Sequence, residues 1–113
     1  MRPEARKHLW DAREAGAAAR EFARDRTLDD YLGNEMLRAA IERKLEIVGE
    51  ALNRLSRSDA EVAERIPELA RIVAFGNLLA HGYRVVDDRL VWDIVESKLP
   101  ALLGAIRDLL AED

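Results

Sequence analysis

The chain has 113 residues, a formal net charge of −4 at pH 7 and no cysteine. That length suits a single domain over residues 1–113, and the lack of cysteine excludes disulfides and thiolate metal sites. About half of the residues are hydrophobic and 35% are charged, which is typical of a globular protein and not of a disordered one. The negative charge also disfavours a protein that coats nucleic acid with its whole surface.

Hydropathy argues against a membrane protein. No apolar run approaches the roughly 20 residues that a membrane-spanning helix needs. The basic residues at the start of the chain are not followed by an apolar stretch, as they would be in a secretory signal. We therefore expect a cytoplasmic protein that has no membrane partner.

Helical periodicity predicts two helices in the first half of the chain. The first is expected over residues 3–25, with a thin apolar stripe. The stripe consists of Leu9, Ala12, Ala15, Ala19 and Phe22. Thr27 with Asp30 is a weak capping box that precedes a second helix over 28–55. The stripe of this helix is the clearest in the chain. It consists of Leu37, Ile41, Leu45, Val48, Leu52 and Leu55. Gly49 lies beside it and indicates either a close approach to another helix or simple tolerance of glycine.

Caps and prolines divide the next part of the chain. Ser58 with Glu61 is a second capping box, which predicts a short helix that ends near 66–67. Pro67 suits the first turn of a fourth helix that ends at 80–81. Gly82 is well placed to end it.

A fifth helical segment follows, with Asp87 or Asp88 as its cap. Pro100 inside it implies a kink or a restart. Its apolar positions are Val91, Ile94, Val95, Leu99, Leu102, Ile106 and Leu109. No segment of useful length alternates with a period of two, so the predicted fold is all-α, an antiparallel bundle of four to five helices.

One short polar stretch is the candidate site. Asn77 and His81 are four residues apart and therefore lie on the same side of a helix. An imidazole exchanges a proton near neutral pH, which suits general acid–base catalysis, and Asn77 can donate to an oxyanion or orient the ring. Tyr83 adds a phenol. On spacing alone, the alternative is that His81 and Tyr83 only close the helix end with hydrogen bonds. No motif for a metal or a cofactor is present, and we expect neither.

Residues 72–83, IVAFGNLLAHGY, resemble the signature of HepT, the toxin of the HepT–MNT toxin–antitoxin systems in the HEPN superfamily. Residues 45–51 resemble the long-helix motif of that family, and residues 91–95 with 99–100 resemble its last helical segment. The resemblance implies a HEPN-like bundle and a metal-independent endoribonuclease. In that enzyme Asn77, His81 and Tyr83 fill the polar, histidine and tyrosine positions of the motif.

The chain departs from the family pattern at Gly76, which stands where the motif has an arginine. That guanidinium would bind the scissile phosphate and stabilise its developing charge, and glycine offers no replacement. Arg71 does not fit the motif spacing, whereas Arg84, three residues after His81, is a candidate substitute. Glycine is a poor choice inside a helix, so packing alone does not explain it well. The activity of this copy, and whether the glycine is natural or introduced, are open on sequence grounds.

The resemblance also implies partners. HEPN nucleases generally act as homodimers with both motifs facing one cleft. Positions 76 and 81 diverge by about 140° around one helix, so a single chain converges them poorly on one phosphate. An MNT nucleotidyltransferase antitoxin would transfer AMP to Tyr83 and block RNA by volume and charge. Two other classes stay open: a non-catalytic HEPN domain that binds RNA or a nucleotidyltransferase, and a structural helical assembly domain.

Overall fold

The computed structural model describes residues 1–81 and 86–112, and within these ranges it contains helices and no strand. The longer helices are α1 (Pro3–Ala23), α3 (Glu35–Ser58), α5 (Leu69–Ala80) and α7 (Leu99–Leu110). The shorter ones are α2 (Leu28–Leu32), α4 (Ala60–Glu64) and α6 (Asp88–Asp93), and a π-helical turn (Ile94–Lys98) joins α6 to α7. The predicted all-α bundle is confirmed. None of these helices is long and apolar enough to cross a membrane.

Helix α3 is the centre of the bundle. It packs against both α1 and α5, and α7 closes the core against α1. All six stripe residues predicted for α3 are buried, and so are all seven apolar positions predicted for the last helical segment. Among the described residues, α5 has α3 as its main neighbour. Helix α5 therefore lies at the edge of the bundle, and one of its sides is exposed.

Helix α1 buries a stripe made largely of alanine, which permits close packing. Ala12, Ala15 and Ala19 are buried as predicted, but Phe22 is 38% exposed and the prediction for this residue was wrong. The stripe continues from Ala19 by four residues instead of three, so Ala23 takes the last buried position. The helix ends at that point and leaves Phe22 on the outer side.

The predicted second helix is broken near its start. Its capping box is confirmed, because Asp30 accepts from the backbone N–H of Thr27 at 2.9 Å and Thr27 accepts from that of Asp30 at 3.1 Å. This box starts only the five-residue α2, which Gly33 ends. The side chain of Asn34 then accepts from the backbone N–H of Leu37 at 3.0 Å and starts α3 as a separate helix. The cap at Asn34 thus starts a new helix where the sequence predicted one continuous helix.

Two further helix starts differ from prediction. The cap of α4 is Asp59, which accepts from the backbone N–H of Val62 at 3.2 Å, and not Ser58, which remains in α3. A carboxylate one residue later occupies the capping position instead of the hydroxyl. Pro67 lies in a turn before α5, not in its first turn, because Glu68 adopts a left-handed conformation (φ 64°) and the helix begins after it.

Pro100 distorts the last helical segment, as the sequence predicts. The residue before it donates its N–H to the carbonyl of Ile94, five residues earlier, which is π-helical geometry. In that register the carbonyl of Val95 faces the proline nitrogen, which carries no hydrogen. The guanidinium of Arg20 on α1 donates to this carbonyl at 3.1 Å. A side chain from another helix thus satisfies the backbone group that the proline leaves open.

Candidate functional site

The candidate site lies at the C-terminal end of α5. The helix ends at Ala80, within the predicted range, and His81 is its C-cap. The backbone N–H of His81 donates to the carbonyl of Asn77 at 3.1 Å, so the helical register persists through His81. The side chains of both residues are exposed, one turn apart on neighbouring positions of the surface. The structure therefore brings these two predicted site residues together where a ligand can reach them.

The structure does not describe the three other residues that the sequence singled out near the motif. Tyr83, Gly82 and Arg84 lie outside the described residues. Beyond them, Asp87 caps α6 by accepting from two backbone N–H groups of its first turn, as predicted. The site as described consists of Asn77 and His81, with α6 beginning seven residues after the histidine.

Gly76 is buried and does not share the exposed surface of its neighbour Asn77. A Cβ placed on Gly76 would lie 3.0 Å from the Cα of Gly49 and 3.4 Å from the carbonyl oxygen of Leu45. The close helix approach that Gly49 suggested is confirmed, and Gly76 is its counterpart. The expectation that packing does not explain Gly76 was therefore wrong, because glycine here allows two helix backbones to touch.

The nearest cation on the same helix is Arg71, the one charged residue of α5. Its guanidinium lies 3.3 Å from the carboxylate of Glu68, and both side chains are exposed. Arg71 precedes His81 by ten residues, which separates them by about 15 Å along the helix axis. Within one chain, Arg71 is too far from His81 to bind the same phosphate.

An apolar groove of about 540 Å³ runs between α5 and the α6–π-turn segment. Its floor includes Phe75 and Ile94, and its walls include Leu78 and Leu90, which are 48% and 44% exposed. Arg71 is also among its lining residues. The sequence does not predict this groove, because periodicity within each helix does not show how α5 and α6 lie against each other. The available signal was that Leu78 and Leu90 fall outside the buried stripes.

A second group of titratable residues lies where α2, α3 and α6 meet. Tyr31 is fully buried, and its ring centroid is 5.2 Å from that of Trp92. Its hydroxyl has no hydrogen-bond partner among the described residues, and burial raises the pKa of Tyr31. Burial and the neighbouring carboxylate of Asp88 raise the pKa of Glu42, while Arg38 opposes this shift. The sequence does not predict this cluster, in which Arg38 and Tyr31 contact Asp88 and Trp92 of α6.

Neither group forms a recognisable metal site. Over residues 1–81 and 86–112, no three or more histidine, aspartate or glutamate side chains are grouped so that they could hold an ion.

Comparison with known proteins places the chain among ribonucleases. The model of the family described as "Ribonuclease HepT-like" matches residues 12–109. A Thermococcus cleftensis protein named "Probable ribonuclease HepT" is 32% identical over 111 residues, which cover 96% of this chain and 98% of that protein. A Methanocaldococcus jannaschii protein named "Putative RNase MJ1380" is 32% identical over 94 residues, which cover 83% of this chain and 85% of that protein. No solved structure matches this chain.

Proposed function

Since the chain belongs to the HepT-like ribonuclease family, we propose that it is a metal-independent endoribonuclease and the toxin of a type II toxin–antitoxin system. The observation that carries the proposal is the joint exposure of Asn77 and His81 at the end of α5. The chain has two histidines and no cysteine. The other histidine, His8, lies on α1 beside a groove lined by carboxylates and cations. Three carboxylates line that groove against two cations, which disfavours a phosphate there, so His81 is the better candidate for proton transfer on a phosphate.

RNA can be cleaved by its own 2′-hydroxyl group. The 2′-oxygen attacks the adjacent phosphorus, the bond from phosphorus to the 5′-oxygen breaks, and the products end in a 2′,3′-cyclic phosphate and a 5′-hydroxyl. A base takes the proton of the 2′-hydroxyl, and an acid gives a proton to the leaving 5′-oxygen. The imidazole of His81 suits both proton transfers, and the amide of Asn77 can orient the phosphate or the ring. No step of this reaction requires a metal ion.

The decisive experiment measures RNA cleavage by the purified chain in the presence of a metal chelator. His81→Ala should lower the rate by about 10²–10⁴, the usual contribution of a general acid or base. His8→Ala is the control histidine variant and should keep the activity. RNA with a 2′-deoxy group at the cleavage position should resist. Cleavage that persists in His81→Ala would refute the assignment of this histidine.

The proposed partners are a second copy of the chain and an MNT nucleotidyltransferase antitoxin that transfers AMP to Tyr83. The chain has two tyrosines, and Tyr31 is fully buried, so a modifying enzyme cannot reach Tyr31 in the folded protein. A phosphodiester adduct would place negative charge two residues from His81 and oppose RNA binding.

Mass spectrometry after incubation with the cognate nucleotidyltransferase and ATP tests this control. The protein should gain the mass of one or more adenylate units, and Tyr83→Phe should gain none. A mass increase that persists in Tyr83→Phe would remove this tyrosine from the mechanism.

A non-catalytic HEPN domain that binds RNA or the nucleotidyltransferase is the second candidate. The buried position of Gly76 favours it, because this residue leaves the site without the motif cation. Such a domain should retain RNA in a binding assay and leave it intact, whether or not His81 is replaced. Cleavage that depends on His81 would exclude it.

A further inference from the structure

The contact between Gly49 and Gly76 fixes how α3 and α5 lie against each other. Helix α3 ends at Ser58, nine residues after its glycine, and α5 begins at Leu69, seven residues before its own. Only residues 59–68, which include the short α4, join the two helices, so they run antiparallel. A residue that precedes one glycine therefore lies at the same level as a residue that follows the other glycine by the same distance.

Burial shows which side of this helix pair is open to solvent. The residues one before, four before and three after each glycine are buried on both helices. They are Leu45, Val48 and Leu52 on α3, and Ile72, Phe75 and Leu79 on α5. The residues one and five after each glycine are exposed on both helices. In an antiparallel pair, equal offsets from the contact lie on the same side, so the core occupies one side of the contact and solvent the other.

The open side carries four polar groups at the end of the pair where α5 stops. On α5 they are Asn77 and His81, one and five residues after the glycine of that helix. On α3 they are Glu46 and Arg43, three and six residues before the glycine. At about 100° per residue, all four lie between about 60° and about 140° from the direction of the contact, in the same sense of rotation. The two helices thus present these groups on one face.

Arg43 lies at nearly the same level as His81 along the helix pair. Six residues before one glycine and five residues after the other correspond to about 9 Å and about 7.5 Å from the contact. With about 8 Å between the helix axes, the close end of helix packing, the two Cα atoms are about 11 Å apart. A guanidinium and an imidazole that extend toward each other from this distance leave room for one phosphate between them.

The surroundings of Arg43 allow it to bind an anion. Its side chain is 66% exposed, and its Nη1 lies 3.3 Å from Oε2 of Glu46. The side chain of Glu46 is 20% exposed, the lowest value for a carboxylate in the ion pairs of the described residues, as expected for a group that lies against α5. A guanidinium has five N–H donors, so this contact leaves others for a phosphate.

The other cations of α3 and α5 lie elsewhere. They are Arg38, Lys44, Arg54, Arg57 and Arg71. The last three are at the opposite end of the helix pair, beyond the glycine contact. Lys44 lines the groove between α1 and α3, and Arg38 donates to backbone carbonyls of α2. Arg43 is therefore the cation of these two helices that lies beside His81.

We infer that Arg43 binds the phosphate on which His81 acts, and that it takes the place of the motif cation that Gly76 does not supply. The inference rests on the proposed ribonuclease function and adds a phosphate-binding residue to the same site. The guanidinium donates to two phosphate oxygens and stabilises the negative charge that develops on them as the 2′-oxygen attacks. The site is then formed across two helices instead of along one.

Cleavage rates of single variants test the role of Arg43. Arg43→Ala should lower the rate by about 10²–10³, the cost of one charge-stabilising donor, and Arg43→Lys should keep part of the activity because it keeps the charge. Arg71→Ala is the matched control, because both arginines are 66% exposed and each lies 3.3 Å from a glutamate three residues away. This control should cleave at nearly the unmutated rate. Equal rates for the two alanine variants would overturn the inference.

RNA binding tests the phosphate contact without cleavage. The probe is a single-stranded RNA in which fluorine replaces each 2′-hydroxyl, so that the attacking group is absent. Loss of one phosphate contact on a single strand lowers the slope of log affinity against log salt by about 0.7. Arg43→Ala should show this decrease and Arg71→Ala should not. A slope that Arg43→Ala leaves unchanged would overturn the contact, whereas a purely structural role would not move the slope.

Complementation shows whether the two groups act within one chain, as the geometry places them. A 1:1 mixture of Arg43→Ala and His81→Ala chains should not regain activity, because every site then lacks one of the two groups. If the groups instead acted across a dimer, random exchange of subunits would restore about a quarter of the unmutated rate. Such a recovery would overturn the arrangement within one chain.

Failure of the proposed function would be recognised separately. If the unmutated chain leaves RNA intact, the ribonuclease assignment is refuted, while the salt dependence of binding still decides whether Arg43 contacts phosphate. If the unmutated chain does not bind the fluorinated RNA even at low salt, the phosphate contact is refuted as well.

Discussion

Gly49 and Gly76 touch backbone to backbone where α3 crosses α5, since a Cβ on either would lie 3.0 Å from the Cα of the other. A single added methyl group requires the helices to move apart by a few tenths of an ångström. The contact therefore sets how deeply α5 sits in the bundle. It also fixes which side of α5 faces outward with Asn77 and His81.

Gly76→Ala should lower the free energy of unfolding by about 1 kcal/mol. Overpacking costs about 1–3 kcal/mol, and the better helix propensity of alanine returns about 1 kcal/mol. Gly104→Ala is the control, because a Cβ there would meet only the end of the Arg107 side chain at 4.0 Å. The control should gain stability. Urea denaturation measures both, and equal gains would contradict the packing role of Gly76.

Gly76→Arg should destabilise the protein more than Gly76→Ala, because a longer side chain starts from the same backbone contact. An arginine at position 76 therefore disturbs the α3–α5 crossing, whatever it adds to the chemistry of the site. Thermal denaturation shows which of the two variants is less stable. An arginine variant as stable as the unmutated chain would show that the helices separate at little cost.

Arg20→Ala should lower the free energy of unfolding by about 1–2 kcal/mol, because it leaves the carbonyl of Val95 without a donor. Arg20 also contacts the carboxylate of Glu96 at 2.7 Å. Arg20→Lys keeps the charge and should lose less. Arg43→Ala is the surface control and should stay within about 0.5 kcal/mol of the unmutated chain. Equal stabilities of Arg20→Ala and this control would contradict the role of the hydrogen bond.

Tyr31→Phe should leave the protein equally stable or stabilise it by about 1 kcal/mol, because the buried hydroxyl has no partner among the described residues. Tyr31→Ala is the companion variant and should cost about 3–5 kcal/mol through the lost ring. Urea denaturation compares the two. A clear loss of stability in Tyr31→Phe would mean that the hydroxyl is hydrogen-bonded in the protein.

Glu42 and Asp30 should contribute opposite pH dependences. The raised pKa of Glu42 means that the unfolded chain releases this proton first, so Glu42 lowers stability as pH rises through that interval. Glu42→Gln should therefore be more stable than the unmutated chain at neutral pH, with the difference vanishing below about pH 4. Hydrogen bonds from Thr27 lower the pKa of Asp30. Asp30→Asn should be less stable at neutral pH, and this difference should shrink in acid. Denaturation at several pH values checks both signs.

The sequence predicts the core well where a single helix face decides burial. The stripe of α3 from Leu37 to Leu55 is buried as expected, because periodicity reports directly on one side of one helix. Helix ends are less predictable, since adjacent residues compete for one cap. Ser58 and Asp59 both have a capping oxygen, and only their backbone conformations decide between them.

For the candidate site, local spacing was sufficient to predict that Asn77 and His81 lie on the same side of α5. It could not reveal why Gly76 is glycine, because the explanation is Gly49, 27 positions earlier on another helix. Nor could it reveal Tyr31, whose hydroxyl is buried by the docking of helices distant in the sequence. Both features depend on contacts between different helices, which periodicity within one helix cannot predict.

The contact between the tilted rings of Trp92 and Tyr31 also gives the molecule an internal optical reporter. The chain has two tryptophans. The other, Trp10, is 49% exposed and lies against the guanidinium of Arg13, so Trp10→Phe removes a surface fluorophore. The remaining emission then comes from α6, which begins shortly after His81. Any ligand that shifts α6 at this end of the bundle would change the colour and intensity of that emission, without an attached dye.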